Sequence, residues 1–232
     1  MRVDAICKGR AFGLICSVLL AACGSDQIVL SSLVEAEDVY QRYTVSYNAS
    51  HNETVVQAEF RVLDLSGASV ELESPSEVSH DSLKLKLKFL SGAAIYEAIS
   101  PSEILSHSFS YLANDGQSFS NSLTLTSIDF PADLEEISRS ETWNLVWLGP
   151  AIQENEQIRI LLRDQSGKSV NRIFNQQGES SLQIEVSDLL SLQAGNLLVE
   201  LERRRSQELA QARSAGGQRI SIYRVQRNLT LN

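Results

Sequence analysis

Ser82-Leu83-Lys84-Leu85-Lys86-Leu87-Lys88-Phe89 (SLKLKLKF) alternates apolar and charged residues without a break. Successive side chains of a β-strand point to opposite faces. This run therefore places Leu83, Leu85, Leu87 and Phe89 on one face and three lysines on the other. A helical period of 3.6 would scatter the same leucines around its axis. The stretch reads as a strand with one dry and one solvated face.

The same period extends in both directions. Val56, Ala58, Phe60 and Val62 alternate with Gln57, Glu59 and Arg61, and Tyr43, Val45 and Tyr47 share a face. Phe109 and Tyr111 precede Asn114-Asp115-Gly116, and Leu123 and Leu125 follow it. Asp-Gly supplies the positive φ angles of a tight hairpin turn. Pro131 and a cluster of acids then interrupt the pattern. It resumes at Trp143/Leu145/Trp147, Ile158/Ile160/Leu162, Leu182/Ile184/Val186, Leu197/Val199/Leu201, Ile220/Ile222 and Leu229/Leu231. Helix-period segments are short: PADLEEI from Pro131, SDLLSL from Ser187, and ERRRSQELAQARSAGG from Glu202. The last reads as two or three helical turns ending at Gly216 or as a hairpin loop.

Short strands with turn signals every 8–12 residues or so predict an all-β chain built of antiparallel sandwiches. Two tandem sandwiches are expected, over residues 40–130 and 142–232, joined by a linker at 131–141. Residues 23–39 are expected as a tether, in which Ile28, Val29 and Leu30 are apolar enough to dock on the first sandwich. In the second half, Leu192-x-x-Gly195-x-x-Leu198 resembles the corner motif of fibronectin type III modules, with leucine where those modules carry tyrosine. Trp147 stands where such modules often bury a core tryptophan. The chain thus resembles tandem immunoglobulin-like or fibronectin-III-like domains, and the resemblance implies architecture rather than activity.

The amino terminus carries a different signal. Arg2, Lys8 and Arg10 precede an apolar run from Ala11 to Ala22, shorter than the roughly 20 residues that span a bilayer. That is the form of an export signal peptide, residues 1–22. Leu20-Ala21-Ala22-Cys23 at its end resembles the lipobox of bacterial lipoproteins. The resemblance implies a Cys23 acylated with palmitate-like chains, and Gly24 after it implies the outer membrane. As a whole the chain resembles outer-membrane lipoproteins of Gram-negative bacteria, a likeness that leaves open which membrane face is occupied. One acyl chain anchors only marginally, whereas several hold firmly. Cys7 and Cys16 lie within the signal, so the exported body holds no thiol besides Cys23. Its fold then rests on its core, without disulfides.

Removing the three basic and one acidic residues of the signal from the total of 20 and 29 leaves 17 basic and 28 acidic residues. That acidity argues against a nucleic-acid partner and against a polybasic grip on the membrane near the tether. Arg203-Arg204-Arg205 is the sharpest positive feature. It reads as a solvated loop at the end of a strand, partly offset by Glu200, Glu202 and Glu208, or alternatively as a grip for an anionic glycan, a lipid headgroup, an acidic partner or the chain's own acidic first half. Tyr43 and Tyr47, with Tyr40 nearby, read as a core face or alternatively as a sugar-binding platform.

Catalytic chemistry is not apparent. His51, His80 and His107 lie 29 and 27 residues apart and read as exposed loop or strand-edge residues, so no metal site and no cofactor is expected. There is no Gly-x-Ser-x-Gly elbow and no calcium loop or phosphate cradle. A hydrolase built from distant carboxylates is a remote alternative. The expectation is a non-enzymatic, lipid-anchored envelope protein that is structural or binds a protein partner, with a carbohydrate-binding module as the alternative.

Overall fold

The alternation after Tyr40 becomes the inner face of a sandwich because β2 and β3 place aromatic rings opposite those of a strand in a facing sheet. A computed structural model describes residues 27–232. Residues 1–22, expected as a signal peptide, and Cys23 lie outside the described residues. The first half contains β1 (Ile28–Leu30), β2 (Val39–Asn48), β3 (Glu53–Val62), β4 (Ser69–Glu71), β5 (Glu77–His80), β6 (Leu83–Lys84), β7 (Lys86–Leu90), β8 (Ala93–Ser100), β9 (Ser106–Leu112) and β10 (Ser118–Thr124). Then follow β11 (Glu136–Ile137), β12 (Trp143–Val146), β13 (Glu156–Asp164), β14 (Ser169–Phe174), β15 (Ser181–Ile184), a single helical turn and a half, α1 (Val186–Ser191), and two long strands, β16 (Gly195–Glu208) and β17 (Gly217–Leu231). The all-β class expected from the period-two pattern is what the chain adopts. No helix among the described residues is long and apolar enough to cross a membrane.

One sheet runs through both halves. Its main path is β1-β4-β3-β2-β17-β16-β13-β14, with β8 and β7 continuing from β3 and β11 lying beside β17. The β16–β17 hairpin is its spine, in register from Gly195 opposite Leu231 to Glu208 opposite Gln218. Residues Gly217–Arg224 of β17 pair in parallel with Gln41–Asn48 of β2. Farther along the same strand, Thr230 and Leu231 pair with Glu136 and Ile137. The two expected halves therefore share backbone hydrogen bonds, and the segment expected as a linker contributes β11.

Two smaller sheets supply further strands. In the first half the order is β10-β9-β5-β6; in the second, β12 pairs β15. Tyr43 of β2 stacks on Phe109 of β9 with ring centres 4.5 Å apart, and Phe60 of β3 lies 4.7 Å from Tyr111 of β9. Burying each such ring stabilises the fold by roughly 1.5–3 kcal/mol. Trp147 is buried, as the resemblance implies, and donates its indole N–H to the Pro150 carbonyl at 3.1 Å. The Asp115-Gly116 turn joins β9 to β10, with Gly116 at φ 85°.

Two expectations are corrected. The SLKLKLKF run is not one strand. It breaks at Leu85, so that β6 joins the four-stranded sheet and β7 joins the large one. Leu85 is 4% exposed, but Leu83 is 75% and Phe89 61% exposed. A period-two pattern separates two faces, but it does not force every apolar position to be covered when the strand changes sheets. The arginine-rich stretch from Glu202 to Glu208 is the middle and end of a long strand, not a helix. Only residues 209–216 form a loop.

That loop is clamped to the first half. Asn121 accepts from the backbone N–H groups of Ala210 and Gln211 and donates to the Gln211 carbonyl. Arg213 pairs with Glu37 at 2.6 Å and with Asp115, and lies over the Phe119 ring. Residues 28–38, within the stretch expected as a tether, are also docked: β1 pairs in parallel with β4, and Asn114 donates to the carbonyls of Ser31 and Val34.

Arg203, 2% exposed, is an internal charge. Its guanidinium lies 3.2 Å from a Glu156 carboxylate oxygen and donates to the Pro150 carbonyl. Removing one partner of a buried pair leaves an uncompensated charge and costs about 3–5 kcal/mol, whereas replacing both by apolar residues is often neutral or stabilising. Arg203→Met alone should therefore lower unfolding stability by that amount in urea titrations. The double variant Arg203→Met/Glu156→Met should recover most of the loss.

Candidate functional site

Most residues singled out in the sequence have structural work. Tyr43 is fully buried and donates its hydroxyl to the Gln41 side chain at 2.8 Å. Burial pushes its phenol well above the ordinary value of 10. Tyr47 is buried against Tyr223, with ring centres 5.1 Å apart, and Tyr40 is also in the core. Tyr43 and Tyr47 offer no sugar-stacking surface, because the β2 face that carries them is closed by Phe109 and Tyr223, and Tyr40, on the opposite phase of the strand, is buried as well. The arginine triplet does not converge either. Alternation along β16 separates Arg204 from its neighbours, Arg203 is locked to Glu156, and Arg204 and Arg205 are half-buried. The nearby glutamates are engaged elsewhere: Glu202 meets Arg159 at 3.1 Å and Arg224 at 2.5 Å, and Glu200 meets Arg159 at 2.5 Å.

The histidines are the residues whose placement differs most from the sequence reading. His80 and His107 are 8% and 2% exposed and in direct contact. His80 closes β5, whose Val78, Ser79 and His80 pair with Tyr111, Ser110 and Phe109 of β9. His107 sits two residues from Phe109 on the same face of β9, so it lies diagonally across from His80. His80 Nε2 is 2.9 Å from His107 Nδ1. The rings lie 5.1 Å apart, and the Phe109 ring is 5.2 Å from His80.

A tight turn brings in a carboxylate. His80 pairs with Leu83 across the β5–β6 hairpin, and Asp81 and Ser82 have φ values of 46° and 68°. Positive φ at both central positions is the type I′ signature, which aspartate tolerates well. The turn points Asp81 back at the histidines: its Oδ2 is 3.1 Å from His80 Nε2. Its Oδ1 accepts the Ser108 backbone N–H at 2.9 Å, and its own N–H donates to the Ser108 carbonyl at 2.8 Å.

The hydrogen bonds define the tautomers. Ile104 O, 2.8 Å from His107 Nε2, only accepts, so Nε2 carries the hydrogen. Nδ1 of His107 therefore presents a lone pair toward His80. A single N–H on His80 Nε2 then faces two acceptors, that nitrogen and the Asp81 carboxylate. Nothing in the linear spacing of 29 and 27 residues signals this. The available clue is that His80 and His107 occupy the dry phase of their strands, where an unpaired imidazole would be costly.

Burial lowers the pKa of His80 below 6.5, opposed by Asp81. Burial likewise lowers that of His107, with His80 adding to the effect and the Ile104 bond and Asp81 opposing it. Both rings are therefore neutral in the fold at a pH where an unfolded histidine already binds a proton. Stability should fall as pH drops below about 6.5, before the carboxylates titrate. Urea midpoints compared at about pH 7 and 5.5 should show the loss, and a His80→Phe/His107→Leu variant should show less of it.

No protein-family model matches this sequence, and no curated protein matches it. Among solved structures, it is similar to a tetra-tandem repeat in the extending region of a large adhesion protein, at 18% identity and a TM-score of 0.26. That match covers 82% of this chain and 50% of the other, so the chain spans about half the length of that structure. It is also similar to a structure described as giving insight into host cell surface retention of a 1.5-MDa bacterial ice-binding adhesin. There the identity is 9%, the TM-score 0.24, and the coverage 84% of this chain and 65% of the other.

Proposed function

We propose that this protein is a lipid-anchored, non-enzymatic module of the bacterial envelope, in which a rigid β body presents a sheet edge to a protein partner. The observation that carries the reading is where the chain joins the fold. β1 begins at Ile28, with only four residues between it and Cys23. Those residues reach at most about 18 Å. An acyl group on Cys23 would therefore hold the body against the bilayer rather than far above it.

The surface around β1 suits that position. Leu30, Leu33, Leu63 and Leu65 are exposed there. Leu63 is kept in the left-handed region, φ 66°, while its N–H donates to the Asp38 carbonyl at 2.6 Å. A bulky residue in that conformation costs on the order of 1–3 kcal/mol. The loop closes tightly, because a Cβ on Gly67 would lie 1.8 Å from the Val62 carbonyl oxygen.

At the opposite margin of the large sheet, β14 pairs only with β13 among the described strands. Asn171, Arg172 and Ile173 are exposed along it. An open edge of this kind recruits an extended segment through main-chain hydrogen bonds. The β7 edge is guarded by Lys86 and Lys88, the latter paired with Glu97, and charged edges resist such pairing. The β10 edge is occupied by the 209–216 loop, since Ser120 donates its N–H to the Gln211 side chain.

The anchor is tested by intact mass of the amino-terminal peptide and by fractionation. Acylated Cys23 in the membrane fraction is expected, with Cys23→Ser shifted to the soluble fraction. An unmodified amino end, or soluble wild-type protein, refutes the anchor. A photo-crosslinking residue at Asn171 should yield a discrete adduct in intact cells, whereas the same residue at Lys86 should not.

A further inference from the structure

The contact between His80, Asp81 and His107 has the chemistry of a metal centre. We propose that His80 Nε2, His107 Nδ1 and Asp81 Oδ2 bind a single divalent d-block ion of the zinc class, pinning the β5–β6 hairpin to β9. The three donor atoms lie within 4.8 Å of one another. Two of their separations are 2.9 and 3.1 Å. A tetrahedral ion with bonds of 2.0–2.2 Å needs donor separations of about 3.3 Å. Small side-chain rotations supply the difference.

The surrounding hydrogen bonds are those a metal ligand requires. His107 donates Nε2–H to the Ile104 carbonyl, which orients the ring and leaves Nδ1 as the coordinating nitrogen. Ser108 N–H holds Asp81 Oδ1, leaving Oδ2 for the ion. His80 then coordinates through Nε2 by moving its hydrogen to Nδ1, a change of tautomer that leaves the ring neutral. Burial already keeps both imidazoles unprotonated near neutral pH, so the ion displaces no proton from them.

The donor set also selects the ion. Two imidazole nitrogens and one carboxylate suit zinc, cobalt or nickel, whereas calcium and magnesium require shells of oxygen. Ser82, in the same turn, and Asp81 are exposed, and Asp81's side chain is 43% exposed, so the fourth position opens to solvent on that side. Each donor is placed by a different feature: the last residue of β5, the turn, and β9. The ion would therefore cross-link β5, β9 and the turn between β5 and β6.

The test uses the full chain, purified in detergent without a polyhistidine tag and stripped with a chelator. Zinc titrated in competition with a chromophoric chelator should bind one ion per chain and raise the thermal midpoint. Cobalt should give the intense visible bands of a four-coordinate ion. Asp81→Asn keeps the turn and the Ser108 bond, so it should fold and bind zinc more than about tenfold more weakly. His107→Gln should abolish the cobalt bands, and His51→Gln should leave binding unchanged. Absence of the bands with no zinc-dependent shift, or wild-type affinity in both Asp81→Asn and His107→Gln, would establish a hydrogen-bonded pair only and overturn the assignment.

Discussion

The fold depends on the pairing of one edge of β17 with two separate partners. Its first eight residues hydrogen-bond to β2 in parallel, its last two to β11, and its other edge is matched throughout by β16. Parallel neighbours must be brought together over a long stretch of chain, here almost the whole of it. That closure is entropically costly, and it is offset by the burial of the inward face of the joined strands, including Tyr43, Val45, Val199 and Leu201. The two halves are therefore mechanically continuous at the level of backbone hydrogen bonds.

Polar groups at the junction follow from that continuity. Where the long hairpin passes from one half to the other, the chain buries Arg203 against Glu156 and locks the 209–216 loop through Asn121. A buried charge contributes little net stability when paired, yet it penalises any register that separates the partners. A slip of one residue along β16 would turn Arg203 outward and Glu202, with its Arg159 and Arg224 partners, inward. The polar contacts thus select one alignment of a strand pair whose apolar pattern alone permits several.

The same division separates the proposed anchor end from the proposed recognition edge. Exposed leucines surround β1, close in sequence to Cys23, and the open edge of β14 lies at the other limit of the sheet path. A continuous sheet joins the two. The histidine–aspartate cluster belongs to neither surface. It sits on the four-stranded sheet, at the turn that reverses the chain just before it crosses to the large sheet at Leu85.

Local pattern alone determined the β class, about two thirds of the strands and the Asp115-Gly116 turn, because period-two alternation and turn chemistry are properties of neighbouring residues; β8 and β14 were not marked by it. SLKLKLKF showed two faces but not two sheets, since a strand's period says nothing of where it changes partner. Tyr43 and Tyr47 were legible as one face, and only the rings of Phe109 and Tyr223 decided that the face is interior. Arg203 reads like its neighbours in sequence, and burial distinguished it. His80 and His107 carry no mutual signal across 27 residues. Strand pairing through Phe109 and a left-handed turn at Asp81 brought them together, because side-chain convergence is set by long-range register, which no local spacing encodes.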